Sequence, residues 1–143
     1  MSTEADKLIA YISQVPKQKI QTRRLVSRRA DQLTPGEIKQ CRRLNYGRDG
    51  EMHGRLQSLL AGAPGEALLI RGLDDRIVAW ALVFLRDDRQ YGAYFYVPGK
   101  YRRQGLGRRL AAAVRRRHPQ AHVHPWNKAS DQFFSHFPSF VQH

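Results

Sequence analysis

The feature that most constrains the fold is a run of nine apolar residues, Ile77–Leu85, with a polar, charged segment on each side. The flanking segments, Leu73–Arg76 and Arg86–Gln90, have the composition of tight turns. A membrane-spanning helix needs about 20 apolar residues, whereas an apolar run of this length is typical of a strand buried on both faces. Together with shorter apolar or aromatic stretches at Ala67–Ile70 and Tyr91–Val97, it predicts a three-stranded antiparallel meander.

Helix signals lie on both sides of this meander. Thr34 can cap a helix that begins at Pro35, and the Glu37 carboxylate can reach back to the cap. We expect this helix to extend to about Leu44. The remaining predicted elements are, in chain order, a helix Thr3–Gln14, an edge strand Thr22–Ser27, a helix with Met52, Leu56, Leu59 and Leu60 on one face, a helix that begins at Leu106 and ends before Pro119, a short strand Ala121–His124 and a helix Lys128–Phe137.

Length, charge and cysteine content narrow the class of protein. The 143 residues suffice for one domain, and we expect a helical extension of residues 1–20 before a single domain of residues 21–143. The 25 lysines and arginines against 12 aspartates and glutamates give a formal charge of +13, which favours polyanionic partners, nucleic acid among them. The single cysteine, Cys41, permits no internal disulfide and no zinc site built from cysteine pairs. Because the sequence shows neither a signal peptide nor a membrane-spanning run, we expect a cytoplasmic protein with no membrane partner.

Two glycines mark the junction between the last meander strand and the helix that follows it. The first turn of a helix leaves backbone N–H groups unpaired and carries partial positive charge. Gly105 and Gly107 would let a phosphate approach those amides closely, and Arg102, Arg103 and Arg108 add full positive charges. The pattern fits either a phosphate site or a plain tight turn. It is neither the dinucleotide-binding fingerprint, whose third glycine is absent, nor a P-loop.

Two stretches resemble motifs of the GNAT superfamily of N-acetyltransferases. Arg102-Arg103-Gln104-Gly105-Leu106-Gly107 resembles its acetyl-CoA-binding pattern, in which Arg or Gln is followed by two residues, Gly, one residue, and Gly or Ala. Asn127–Phe134 resembles the superfamily's asparagine-led helix that ends in an aromatic pair. The resemblance covers about Thr22–Phe140 and implies an α/β fold with a mixed, mostly antiparallel sheet flanked by helices. Only three residues follow Phe140, so we expect a truncated C-terminal end whose missing edge a homodimer would supply.

For function, the resemblance implies transfer of an acetyl group from acetyl-CoA directly to an amine. Acetyl-CoA, as co-substrate, would lie where the strands Tyr91–Val97 and Ala121–His124 separate. The acceptor amine could belong to a protein, a small molecule or a nucleic acid, and the net charge favours an acidic or polyanionic acceptor. The implied cofactor-binding residues are Tyr96, Val97, Arg102, Arg103, Gln104, Gly105, Leu106, Gly107, Arg108, Asn127 and Phe134.

The sequence departs from the superfamily at the general acid. Many members place a tyrosine seven residues after the motif asparagine, here Asn127, to protonate the leaving thiolate. This chain has Phe134 there, which has no proton to give. Ser135 is a nearby residue that could replace it, although serine is a poor acid without a neighbouring base.

The general base is equally open. Members of the superfamily often use a glutamate on a central strand, yet Ile77–Leu85 and Tyr91–Val97 contain no carboxylate. His122 and His124 share one face of the predicted strand and titrate near neutrality, so both are candidate bases; the alternative is that they are ordinary surface or hydrogen-bonded histidines. A non-catalytic module that binds CoA or another polyanion is the alternative function, and no metal site is predicted.

Four further residues carry structural expectations. We expect Trp80 and Cys41 to be buried in the core. Tyr94 and Tyr96 alternate with an intervening phenylalanine, so they share one strand face. That face would either line an acceptor pocket or pack on a helix.

Overall fold

Four antiparallel strands form the centre of the protein. The computed structural model describes residues 20–44, 51–101 and 103–122. The strand order is β1-β2-β3-β4, with β1 at Val26–Arg28, β2 at Gly65–Arg71, β3 at Ile77–Leu85 and β4 at Tyr91–Tyr96. β2, β3 and β4 pair in sequence order, which confirms the predicted meander.

Three helices flank this sheet within the described part of the chain: α1 at Pro35–Arg43, α2 at Glu51–Leu60 and α3 at Leu106–Arg117. The predicted capping of α1 is confirmed, since the Glu37 amide donates to Thr34 Oγ1 at 3.1 Å and the Thr34 amide donates to Glu37 Oε1 at 2.9 Å. Single 3-10 turns at Ala30–Gln32 and Gly99–Tyr101 were not predicted. None of the helices in the described ranges is long and apolar enough to cross a membrane.

A fifth segment begins to pair with the outer edge of β4 in the parallel direction. The His122 amide donates to the Tyr91 carbonyl at 2.9 Å, and the Ala93 amide donates to the His122 carbonyl at 3.1 Å. His122 is therefore bridged in parallel to Gly92. The predicted mixed, mostly antiparallel sheet is thus confirmed.

The first edge strand is shorter than predicted and begins later. Thr22 makes only an isolated antiparallel bridge with Gly72, and continuous pairing starts with Val26 opposite Leu69. Between these two paired positions, the edge segment has three residues, from Thr22 to Val26, whereas the partner strand has only two, from Leu69 to Gly72. This extra residue acts as a bulge that interrupts the ladder between the bridge and β1.

Two apolar clusters cover the two faces of the sheet. α3 packs on one face, with Ala81, Val83, Ala93 and Phe95 from the strands; α1 and α2 cover the other. The expected burial of Trp80 is confirmed: the residue is fully buried in the α1/α2 cluster, and its indole N–H donates to the Leu44 carbonyl at 2.6 Å.

The remaining expected core residues also lie on the α1/α2 face. Cys41 is buried there, as predicted. Tyr94 and Tyr96 are half-buried and pack against the same cluster, and the Tyr94 ring stacks on Phe84 with their centroids 4.9 Å apart. The shared face of the two tyrosines is therefore confirmed, and of the two only Tyr96 also lines the cavity described below.

Candidate functional site

The turn between β4 and α3 is built around a glycine in the left-handed conformation. Gly105 is the N-cap of α3, with φ +82° and ψ 4°. The first bond of the helix joins the Arg109 amide to the Gly105 carbonyl at 3.0 Å. The three amides between them therefore have no acceptor within the helix. Apart from its chain neighbours, no described residue has an atom within 4 Å of a Cβ built on Gly105, so the described part of the chain leaves room for a ligand beside this residue.

Charge and burial around this turn suit an anion. Arg103, itself at φ +63°, and Arg108 are exposed, so both guanidinium groups can reach an anion at the helix end. Leu106 is buried against the sheet and fixes the start of the helix. Helix dipole, open amides and flexible cations together favour a phosphate or pyrophosphate. The residues present therefore fit the phosphates of CoA.

A segment at the other edge of the sheet holds this turn in place. The Ile20 amide donates to Gln104 Oε1 at 2.8 Å. Arg109 donates through one guanidinium nitrogen to Thr22 Oγ1 at 2.5 Å and through the other to the Arg23 carbonyl at 3.1 Å. The side chain of Gln104 therefore anchors the turn to this segment. The backbone amide of Gln104, like the other amides of the motif, is the group that could bind a phosphate. We call residues 20–23 the strap.

The outer edge of β4 leads from the start of the fifth strand toward this turn. Alternate residues of a strand direct their backbone groups to the same edge. Because Tyr91 and Ala93 bond to His122, the main chain of Phe95 points to the outer edge, whereas that of Tyr96 points to β3. Tyr96, one of the predicted cofactor residues, thus directs its main chain to β3, and the register adds Phe95 as a further residue whose main chain points to the outer edge.

His122 lies on the sheet face opposite α3. Its neighbour Ala121 is fully buried in the α3 cluster, so strand alternation directs His122 to the α1/α2 face. Its Nδ1 atom is buried and has no hydrogen-bond partner among the residues that the structure describes.

A cavity of about 690 Å³ opens at the end of β4, next to the turn. Tyr96 and Tyr101 provide aromatic walls, and Asp74, Arg76 and Lys100 provide charge. Asp74 Oδ1 accepts the Arg76 amide at 3.1 Å, so this carboxylate is engaged within its own hairpin turn. The other residues that line the cavity are Ile20 and Gln21 of the strap, Leu44 at the end of α1, and Gly72, Leu73, Ile77, Val78 and Pro98.

The buried carboxylates are engaged away from this site. Glu66 on β2 accepts from Arg117 at 2.5 and 2.9 Å and lies 2.8 Å from the His118 ring, at the opposite end of α3 from Gly105. Burial raises the pKa of Glu66, but the hydrogen bonds and charges of Arg117 and His118 outweigh this and hold the pKa below its ordinary value. Glu37 forms ion pairs with Arg28 and Arg71. Neither carboxylate is therefore available as a base for a substrate bound at the Gly105 turn or in the cavity.

Several predicted site residues lie outside the described ranges: Arg102, His124, Asn127, Phe134 and Ser135. Val97 follows β4 and is half-buried, and Gly107 lies within the first turn of α3. Within the described part of the chain there is no cluster of three side chains suited to a metal ion.

Solved structures show the same architecture at low sequence identity. AAC(6')-Iy, in complex with the bisubstrate analogue CoA-S-monomethyl-acetylneamine, has a TM-score of 0.56 at 11% identity, over 85% of this chain and 92% of that one. A candidate acetyltransferase from Deinococcus radiodurans R1 has a TM-score of 0.54 at 16% identity, over 91% and 87%. The ribosomal-protein-alanine N-acetyltransferase of Brucella melitensis biovar Abortus 2308 has a TM-score of 0.51 at 12% identity, over 84% and 92%.

Similarity of fold at this level of sequence identity does not assign the chain to a family, but a comparison with family profiles does. No functionally curated protein matches the chain. The profile of the acetyltransferase (GNAT) family, however, matches residues 37–137, which is most of the sequence and includes β2, β3, β4, the Gly105 turn and α3. The chain belongs to the GNAT family of acetyltransferases, whose co-substrate is acetyl-CoA.

Proposed function

We propose that this protein is an N-acetyltransferase that transfers the acetyl group of acetyl-CoA directly to an amine. The observation that carries the proposal is the left-handed Gly105 cap, which leaves open space over the first amides of α3 between the exposed Arg103 and Arg108. Those amides would bind the pyrophosphate. The pantetheine arm would then lie along the outer edge of β4, near Phe95 and Val97.

The acceptor would approach from the α1/α2 side of the sheet. The cavity at the end of β4 lies beside the turn, and its aromatic walls suit the apolar part of an amine. Lys100 and Arg76 give its rim positive charge, which favours an acceptor with an anionic group near the amine. In the reaction the neutral amine nitrogen bonds to the thioester carbonyl carbon, the carbon–sulfur bond breaks, and the amine loses a proton.

A histidine is the base that we propose for that proton. His122 fits because its buried Nδ1 is without a partner among the described residues, and because it lies on the acceptor face. His124 follows on the same predicted strand face and is the second candidate, while Ser135 is the candidate proton donor to the leaving sulfur. Glu66 is excluded as the base because Arg117 and His118 engage it.

The test is calorimetric titration with acetyl-CoA of the wild type, Gly105→Asp and Gly62→Asp. Gly62, at φ +105°, also has open space for a Cβ, but it follows α2 at the opposite end of the sheet. Both variants therefore carry the same charge change and a similar backbone strain. A carboxylate against the pyrophosphate should weaken binding at least about 100-fold in Gly105→Asp, since it removes charge-assisted hydrogen bonds and adds repulsion. Equal affinities in the two folded variants would refute the proposed cofactor site.

A panel of amines, with release of free thiol as the readout, separates transfer from binding alone. The second candidate function is a non-catalytic CoA-binding module, favoured by the engagement of both buried carboxylates, Glu37 and Glu66, elsewhere. Thiol release that depends on an added amine supports the transferase. Tight binding without release from any amine of the panel supports the module.

A further inference from the structure

We propose that the outward face of α3 binds the phosphate backbone of a nucleic acid, centred on Arg115 and Arg116. This surface is separate from the acceptor cavity and does not depend on acetyl transfer. The helix carries five arginines and no acidic residue. Their contacts divide these arginines into two groups.

Two of the five arginines are engaged inside the fold. Arg109 donates to Thr22 and to the Arg23 carbonyl in the strap. Arg117 forms a bidentate pair with Glu66, at 2.5 and 2.9 Å. These two contacts bind the helix to the sheet, so Arg109 and Arg117 already have partners within the fold, although the Arg117 side chain is 46% exposed.

The other three arginines form an exposed stripe. Arg108, Arg115 and Arg116 are exposed, as is Ala112 between them, and none of the three has an acidic partner among the described residues. At about 3.6 residues per turn, positions 108, 112, 115 and 116 fall within an arc of about 100° on one side of the helix. Four aspartates elsewhere are paired with other arginines: Asp31 with Arg29, Asp74 with Arg76, Asp75 with Arg23 and Asp88 with Arg86.

The dimensions of the stripe suit a chain of phosphates. Arg108 and Arg116 are separated by about 12 Å along the helix axis, and a duplex strand places a phosphate about every 3.4 Å of axis, so the stripe faces about three or four phosphates. Guanidinium groups bind phosphate oxygens in a bidentate manner, and the small side chain of Ala112 lets a backbone approach the helix between them. The charge of +13 adds long-range attraction.

The cofactor alone does not account for these charges. Arg108 lies in the first turn of α3 and serves the proposed pyrophosphate site. Arg115 and Arg116 lie about two turns further along, roughly 10 Å away. Basic residues do stabilise the C-terminal end of a helix, and α1 also ends in two exposed arginines, Arg42 and Arg43. The end of α1 therefore provides a matched comparison for the end of α3.

The experiment measures binding of a fluorescently labelled 20-nucleotide RNA by anisotropy over a series of salt concentrations. The test variant is Arg115→Ala/Arg116→Ala and the control is Arg42→Ala/Arg43→Ala on the opposite face of the sheet. Both remove two last-turn arginines and two charges. We expect the test variant alone to bind about tenfold more weakly, and its slope of log affinity against log salt to be smaller by about 0.7 per lost phosphate contact.

Three outcomes would overturn the proposal. Equal losses in the two variants would mean that binding follows net charge rather than this face. Complete displacement of the RNA by saturating acetyl-CoA would mean that the RNA occupies the Gly105 turn. Equal competition by polyglutamate and by unlabelled RNA of the same charge would assign the face to acidic proteins. Acetyl-CoA affinity should be the same in all three proteins, so failure here is distinct from failure of the acetyltransferase proposal.

Discussion

The contact between Gln104 and the strap predicts that cofactor binding depends on the hydrogen bond that the Gln104 side chain accepts from the Ile20 amide. In Gln104→Met the side chain keeps its length but loses the oxygen that accepts the Ile20 amide at 2.8 Å. A hydrogen bond of this kind contributes about 0.5–1.5 kcal/mol to stability. The neighbouring Arg103 has a left-handed φ of +63°, a conformation that costs a non-glycine residue free energy unless its surroundings hold it.

Loss of the anchor therefore lowers the fraction of molecules whose turn is arranged for the cofactor. Apparent affinity falls in proportion to that fraction, so a loss of about 0.5–1.5 kcal/mol raises the Kd for acetyl-CoA by up to about two- to twelvefold. The control is Gln40→Met, because Gln40 Oε1 accepts the Ile77 amide at 2.7 Å in the same manner but on α1. Both variants should lose similar thermal stability, and only Gln104→Met should bind acetyl-CoA more weakly in calorimetry.

Either of two results would refute this reasoning. If Gln104→Met is destabilised as much as Gln40→Met but keeps the wild-type Kd, the strap supports the fold and not the turn. If both variants weaken acetyl-CoA binding equally, the effect comes from general loosening of the structure.

Two further predictions concern titratable groups in the core. Glu66→Gln should lower the free energy of unfolding by about 1–2 kcal/mol at neutral pH, a value reduced because the Arg117 side chain is 46% exposed. The pKa of Glu66 is held below its ordinary value in the folded protein. The ionised Glu66 therefore makes its full contribution to the free energy of unfolding above the unfolded-state pKa of about 4.3, and this contribution is lost as the pH falls through the folded-state pKa. Urea unfolding of both proteins should thus converge in acid, and a gap that does not change with pH would contradict the assignment. Burial raises the pKa of the Cys41 thiol to about 12, so labelling by a thiol reagent should occur only as fast as the protein opens; rapid labelling of the folded protein would show that this thiol is accessible.

The parts of the fold that depend on local signals could be predicted from the sequence. The apolar Ile77–Leu85 run between two polar turns specified the meander, because alternation, turn composition and length all act within a few residues. The Thr34–Glu37 capping box specified the start of α1 for the same reason. The Gly105 turn could be located because glycine is strongly favoured where φ is positive.

The strap could not be predicted, and neither could the division of the α3 arginines. Gln104 and Ile20 are 84 positions apart and the acceptor pairs with a backbone amide, so no feature of the Ile20 side chain marks the contact. Arg108 and Arg109 are adjacent and identical in type, yet one is exposed and the other bonds to Thr22. Only the packing of α3 on the sheet distinguishes them.

The outer edge of β4 explains why His122 is the histidine that fits the proposed chemistry. A strand edge can hydrogen-bond to only one neighbour at a given position. The following strand occupies this edge at Tyr91 and Ala93 through His122, so we propose that a pantetheine arm entering from the Gly105 turn extends no further than the level of Ala93. From Val97 back to Ala93 is about 13 Å at 3.3 Å per residue, and an arm that runs in this direction ends where the following strand begins to pair. The thioester of the proposed complex would then lie at the level of Ala93, about 10 Å along β4 from Tyr96. An acceptor bound in the cavity must therefore extend its amine along the α1/α2 face to reach the thioester and His122.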